Sequence, residues 1–397
     1  MSGVLNPALR VLEIETFGRG GLIHYAFNLS GAMAERGHRV DLITVDGFEL
    51  AHRQLPPGVR LHTPIGRLGR RVGRGWPRVA ASLVRKLEAL LDARAVTRLA
   101  RRIAPDIIHL HSTNTSAVIY LSLLRRLGVP LAATAHQVTP HEQIAFQEAI
   151  YNRIHSLPDL VIAHSEVDRN RLGVEFGVGA DRIAVIPHGD YGFFADVDDP
   201  PDRDAARARL GLNADEPVAL FFGHLREYKG LDLLLDAWPD VAAAVPGSRL
   251  VIAGDPVRLA AEKREQLRQQ AETLGAVHRF EYIPFDEVAS IFAAADLLVL
   301  PYRHISQSGV LYLALALGVP VVATAVGAWP EMLCDGESAL LVPPDSPTEI
   351  ATAVARALGD PLLRSRLAEG GRRVAKAHSW PAVAGQTERA FGSLLGR

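Results

Sequence analysis

Three short segments carry residues able to handle a phosphorylated ligand. FGRGG, from Phe17 to Gly21, follows an apolar run and leads into a stretch with helical spacing. Glycines there permit positive backbone dihedrals and let amides approach a ligand closely, and the helix N-terminus adds partial positive charge, so the segment suits an anion. Read alone, it is more simply a tight turn. FFGHLREYKG, from Phe221 to Gly230, places Arg226 and Lys229 just beyond a strand end. Two cations so placed can neutralise a diphosphate and stabilise it as it departs; the plainer reading is a solvated basic loop. In the segment from Leu300 to Thr324, Ser306, Gln307, Ser308 and Gly309 stand directly before a helix that begins near Val310. Their amides and hydroxyls would face an anion drawn to that helix end, with Ser308 as a simple N-cap the alternative.

The elements that must position these segments follow a βαβ rhythm. Short aliphatic runs bounded by turn residues alternate with longer stretches of helical period, which predicts parallel sheets. Strands are expected over 10–15, 39–45, 106–111, 131–136, 160–164 and 183–187, with helices over 23–36 and 83–102. HGDYGFFADVDDPPDRD, starting at His188, lacks a hydrophobic period and reads as an interdomain linker. The pattern then restarts, with strands over 217–222, 249–253, 277–282, 297–301 and 320–323 and helices over 232–237, 260–273 and 310–317. Two α/β domains are expected, 1–195 with 376–397 and 196–375, each presenting its ligand edge at the carboxyl ends of its strands.

Composition agrees with this division: 397 residues exceed one ordinary core, and 48% hydrophobic with 22% charged residues is ordinary for a globular protein. A formal net charge of -1 gives no global attraction to nucleic acid. Cys334 is the only cysteine, which excludes an internal disulfide framework and fits a reducing cytoplasm. No signal peptide or membrane span is visible, so the expected location is cytoplasmic. From Arg67 to Arg102 eleven basic residues face only Glu88 and Asp92, a local charge of +9. Beside Leu83, Leu87, Leu90 and Leu91 this stretch suggests peripheral contact with an anionic membrane, the commoner alternative being a solvated helix face. Without interleaved aromatics it does not suggest nucleic-acid binding.

The order of these pieces resembles the retaining GT-B glycosyltransferases of group 1, family four. The motifs that carry the resemblance are FGRGG, AERGHRV, TAHQ at Thr134 to Gln137, IPHG at Ile186 to Gly189, HLREYKG, VIAGD at Val251 to Asp255, LGVPVVAT, and HSW near the end, so it covers nearly the whole chain. It implies two Rossmann-like doubly wound domains facing across a cleft, with the final helix, 381–395, crossing back to the N-terminal domain. It also implies a nucleoside-diphosphate sugar donor and an acceptor hydroxyl, saccharide, lipid-linked or small-molecule, bound mainly by the first domain. By position, Gly20 and Gly21 match the loop facing the donor phosphate and Lys229 matches the diphosphate lysine. The partner arginine falls at His224, with Arg226 two residues on as a substitute. His136 resembles the histidine lining the sugar site, backbone near Tyr282 and Ile283 is expected at the base, and Ser308, Gly309 and Val310 at the diphosphate. Asp255 and Glu331 are further candidates, Asp255 equally a capping residue and Glu331 more simply a helix-start residue.

One departure stands out. The family's paired glutamates fall at Ile305 and Leu313, neither of which can accept a hydroxyl hydrogen bond, so an SGV-loop branch is the closer match. Retention would need no protein base, whereas inversion would call on His136, His141 or Glu142. No metal is expected, since two cations can do the work of a divalent ion. The alternatives are a nucleotide-sugar epimerase of the same fold and a non-catalytic nucleotide-sugar-binding homologue.

Overall fold

The computed structural model describes residues 8–66, 78–111, 114–138, 147–194, 202–256, 259–305 and 307–397. Ser306, His141, Glu142 and the basic residues Arg67, Arg70, Arg71 and Arg74 lie outside them, as do the side chains of Arg78, Arg85 and Lys86. The chain forms two compact units, 1–189 with 379–397 and 190–378. The division falls near the start of the expected linker, ahead of the expected boundary at 195, because Tyr191 and Phe193 are buried in the core of the second unit.

The first unit holds seven parallel strands: β1 (Arg10–Ile14), β2 (Arg39–Val45), β3 (Val59–Ile65), β4 (Ile107–Leu110), β5 (Leu131–Thr134), β6 (Leu160–Ala163) and β7 (Ile183–Val185). They lie in the order β3-β2-β1-β4-β5-β6-β7. Helices α1 (Gly21–Glu35), α2 (Arg78–Ile103), α3 (Ala117–Leu124), α4 (Gln147–Ser156) and α5 (Glu166–Phe176) connect them. β3 went unnoticed in the sequence because it is an edge strand: VRLHTPI buries only its two ends, so no continuous apolar run marks it.

The second unit runs α6 (Arg203–Arg209), β8 (Val218–Phe222), α7 (Leu231–Ala244), β9 (Arg249–Ala253), α8 (Ala261–Thr273), β10 (Val277–Arg279), α9 (Phe285–Ala294), β11 (Leu297–Leu300), α10 (Gly309–Leu317), β12 (Val321–Thr324), α11 (Trp329–Met332), β13 (Leu340–Val342), α12 (Pro347–Gly359) and α13 (Pro361–Ala377). Its sheet order is β10-β9-β8-β11-β12-β13, also parallel. Alternation is explicit here: Val218 and Leu220 enter one apolar cluster, Ala219 and Phe221 the other, so both faces are covered and the strands read as unbroken aliphatic runs.

A last helix, α14 (Trp380–Leu394), belongs to the first unit. It packs against α1, with Arg36 Nε donating to Glu388 at 2.7 Å. Both sheets reverse strand order once, between β1 and β4 and between β8 and β11, and a doubly wound sheet binds ligands at the carboxyl ends beside such a switch point. FGRGG follows β1 and HLREYKG follows β8, so two of the three candidate segments stand there.

Candidate functional site

In the second unit the loop after β8 ends in a helical turn, Glu227–Lys229, that turns the Lys229 side chain inward. Lys229 is only 7% exposed, and its Nζ lies 5.1 Å from the centre of the Tyr302 ring. No carboxylate among the described residues pairs with it. Burial, with the Arg226 charge adding to it, pulls its pKa down to about 8 despite an opposing contribution from Tyr228. A desolvated ammonium without a counterion is costly and is relieved by an arriving anion.

Close approach of the backbone creates this arrangement. A Cβ on Gly223 would lie 2.9 Å from Lys229 Nζ and 3.1 Å from Val310 Cγ2, so the lysine and the start of α10 meet at one glycine. Gly230 has φ +66°, and a Cβ there would sit 2.0 Å from the Pro301 carbonyl. Gly309 opens α10 with Ser308, itself buried, as N-cap. The Ser308 hydroxyl caps no amide, which leaves the first N–H groups of α10 beside the Lys229 loop.

The other second-unit candidates separate by exposure. Arg226 is half-buried and near enough for its charge to act on Lys229. It also lines a depression of about 530 Å³ with Tyr228, Lys263, Arg303 and His304. His224 is exposed. β10 stops at Arg279, short of the expected end, so Tyr282 stands on a loop at 55% exposure while the Ile283 side chain is buried in the core. The core also holds both positions expected for glutamates, Ile305 and Leu313.

In the first unit the glycine loop is partly occupied by the protein itself. Glu15 accepts from the amides of Phe17 at 2.6 Å and Gly18 at 2.7 Å and from the Thr44 hydroxyl at 3.0 Å, and Glu49 accepts from Gly20 at 2.6 Å. Burial raises the pKa of Glu15 against these bonds. Gly20 has φ +66° with open space around it, and Gly21 begins α1.

His136 is the second member of a histidine row. The parallel register carries His111, His136, His164 and His188 just past the ends of β4, β5, β6 and β7, strands adjacent in that order. Their ring centres are spaced 6.0, 5.0 and 5.0 Å, close to the ~4.8 Å between neighbouring strands. Tyr25 of α1 packs against all four rings and Trp380 of α14 against Tyr25. Burial, then the neighbouring rings, holds His136 and His164 neutral, with pKa values well below the ordinary imidazole range. Below the row, Glu13 on β1 lies 2.9 Å from His109 Nδ1 and 2.5 Å from His111 Nε2. Burial alone would raise the Glu13 pKa, but the two imidazoles outweigh it and hold it at about 2.

The sequence reading picked out His136 and Lys229 but passed over Tyr302, Gly223 and the other histidines. The row had a visible signal: four successive strands each followed by histidine, in HLH, TAHQ, IAHS and IPHG.

A family model described as Glycosyltransferase Family 4 matches residues 19–189, and one described as Glycosyl transferases group 1 matches residues 216–360. A D-inositol 3-phosphate glycosyltransferase from Acidothermus cellulolyticus is 32% identical over 391 residues, 93% of this chain and 85% of that one. Another of that name, from Geodermatophilus obscurus, is 30% identical over 403 residues, 95% of this chain and 84% of that one. Among solved structures, HepE from Anabaena in complex with UDP-glucose gives a TM-score of 0.76 at 21% identity, covering 97% of this chain and 100% of that one. At that identity the likeness is one of fold, two parallel Rossmann-like domains of GT-B type. With relatives this similar over nearly their whole length, and a family match on each unit, the chain belongs to the group 1, family four glycosyltransferases and is an enzyme of that class.

Proposed function

We propose that this glycosyltransferase takes its sugar from a nucleoside-diphosphate donor, with Lys229 and the first amides of α10 holding the diphosphate. The observation that carries this reading is the buried Lys229 ammonium, which has no carboxylate partner among the described residues and lies beside a helix N-terminus whose Ser308 side chain caps no amide. Arg226 adds a second positive charge, and Ser308, Gly309 and Val310 shape the same corner, with backbone near Tyr282 and Ile283 for the base. From the first unit, Gly20, Gly21 and His136 are the candidates for the phosphate and the sugar. A leaving diphosphate that accepts the acceptor's proton needs no protein base and no metal, which favours retention. That HepE was solved with UDP-glucose supports a nucleotide sugar, and the names of the relatives put D-inositol 3-phosphate among the first acceptors to try.

The test is sugar transfer from a panel of UDP-, GDP- and ADP-sugars to polyol phosphates, saccharides and lipid-linked acceptors, with and without chelator. Transfer that survives the chelator and falls tenfold to a thousandfold in Arg226→Ala is the expected outcome. Donor isomerised without acceptor would mark an epimerase, and donor bound but never consumed a non-catalytic protein.

A second element of the proposal is peripheral contact with an anionic membrane through the stretch from Arg67 to Arg102. In α2, Leu87, Leu91, Arg94, Arg98 and Arg101 are all exposed and recur at helical spacing along one stripe. No helix among the described residues is long and apolar enough to cross a membrane. Sedimentation with phosphatidylserine vesicles that is lost in the Arg94→Glu, Arg98→Glu double variant would support the contact; equal sedimentation of both proteins would refute it.

A further inference from the structure

The histidine row does more than line a strand edge. One ring nitrogen from each of His136, His164 and His188 lies within 4.8 Å of one from each of the others. Backbone carbonyls orient two of these rings: His164 Nδ1 is 2.9 Å from the Ile186 carbonyl and His188 Nδ1 is 2.8 Å from the Gly189 carbonyl. Each Nδ1 therefore donates its proton to a carbonyl, which leaves Nε2 as the ring nitrogen placed to meet a metal. Metal-binding histidines are held in this way, by a carbonyl on the nitrogen that does not bind. His164 Nε2 and His136 Nδ1 are 3.3 Å apart, about the separation of two nitrogens ~2.0–2.1 Å from one tetrahedral ion. His136 Nε2 is buried and has no hydrogen-bond partner among the described residues, so its proton can reside there once Nδ1 turns to a metal, with none lost overall.

We propose that His136, His164 and His188 form a three-histidine site for a transition-metal dication of the zinc class, with water as the fourth ligand. Neutral imidazoles suit zinc, cobalt, nickel or copper and not magnesium or calcium, which take oxygen ligands. The three arrive on adjacent strand ends whose spacing the sheet enforces, so little reorganisation is required. Tyr25 and Trp380 wall the site, and Gly189 is confined by the same indole, since a Cβ there would lie 2.5 Å from Trp380 Cη2. The neighbouring trio Glu13, His109 and His111 meets the same distance criterion but is fully enclosed and already joined by its own hydrogen bonds, so it is a structural charge cluster. An ion on His136 would withdraw the histidine assigned above to the sugar, so occupancy would oppose transfer. The metal site itself does not depend on that assignment.

The test uses tag-free full-length protein, stripped with chelator and dialysed, then titrated with Co(II) while visible absorption is recorded and with Zn(II) by competition. One equivalent of Co(II) with the intense bands of a four-coordinate ion is expected, together with a rise in Tm. His164→Gln and His188→Gln should each weaken binding at least tenfold, and Lys229→Ala should bind as the wild type does. X-ray absorption of the wild-type zinc complex, which needs no variant to fold, should count three imidazoles. A weak octahedral spectrum, fewer than three imidazoles, or unchanged affinity in the two glutamine variants would overturn the site and assign any uptake to surface histidines such as His52 and His62.

Discussion

Lys229 holds its charge against its surroundings. A pKa drawn from 10.5 to about 8 means that the charged form is disfavoured in the free protein by on the order of 3 kcal/mol at neutral pH. Such a cost persists where a ligand relieves it, so Lys229→Met should raise the Tm of the free protein by a few degrees while weakening nucleoside-diphosphate binding at least tenfold. Calorimetry on both proteins checks the pair of effects, and a variant that lost stability and kept affinity would refute the assignment. The same shift fixes a pH dependence. Below about pH 8 the free lysine is protonated and affinity should be flat; above it, binding must first restore the proton, so affinity should fall up to tenfold per pH unit, and Lys229→Ala should flatten the fall. At this scale the sequence was legible where a residue sits in a motif, as Lys229 does in HLREYKG. It was illegible where the partner comes from another strand: nothing near Tyr302 announces a lysine over its ring.

The loop after β8 depends on glycines more than on its charges. Gly230 combines φ +66° with a carbonyl 2.0 Å from where a Cβ would be, so Gly230→Ala must move either the loop or β11. It should cost on the order of 2–4 kcal/mol in urea unfolding. Gly20→Ala, with the same φ but open space, should cost only about 1 kcal/mol. Equal losses in the two variants would remove the case for close packing at Pro301. Interior strands were readable because burial on both faces demands apolar runs, while edge β3 meets no such demand and β13, though apolar, is only three residues long. α7 runs through Pro239, where the sequence reading stopped at 237; packing of Leu231, Leu234, Leu235, Trp238 and Val241 outweighs the lost hydrogen bond.

Across the whole molecule, the buried histidines predict acid sensitivity. His111, lowered to about 4, and His136 and His164, lowered well below 6.5, bind protons in the unfolded chain before they do so in the fold. Stability is therefore present above pH 6.5 and is lost as pH falls toward 4, and Glu13 adds a further loss between 4.5 and about 2. With chelator present, Tm at pH 5 should lie on the order of 10 °C below Tm at pH 7.5; a flat profile would mean that these rings are not neutral in the fold. The two-unit architecture was legible because the strand rhythm stops and restarts, whereas the return of α14 to the first unit was implied only by resemblance, since no local property of Trp380–Leu394 names its partner. The central claim is that the second unit holds a nucleoside diphosphate through Lys229. Isothermal titration of UDP, GDP and ADP into the wild type and Lys229→Ala tests it most directly: at least one nucleotide should bind the wild type with micromolar to millimolar affinity and the variant at least tenfold more weakly. Equal binding to both proteins, or none to the wild type, would contradict the account.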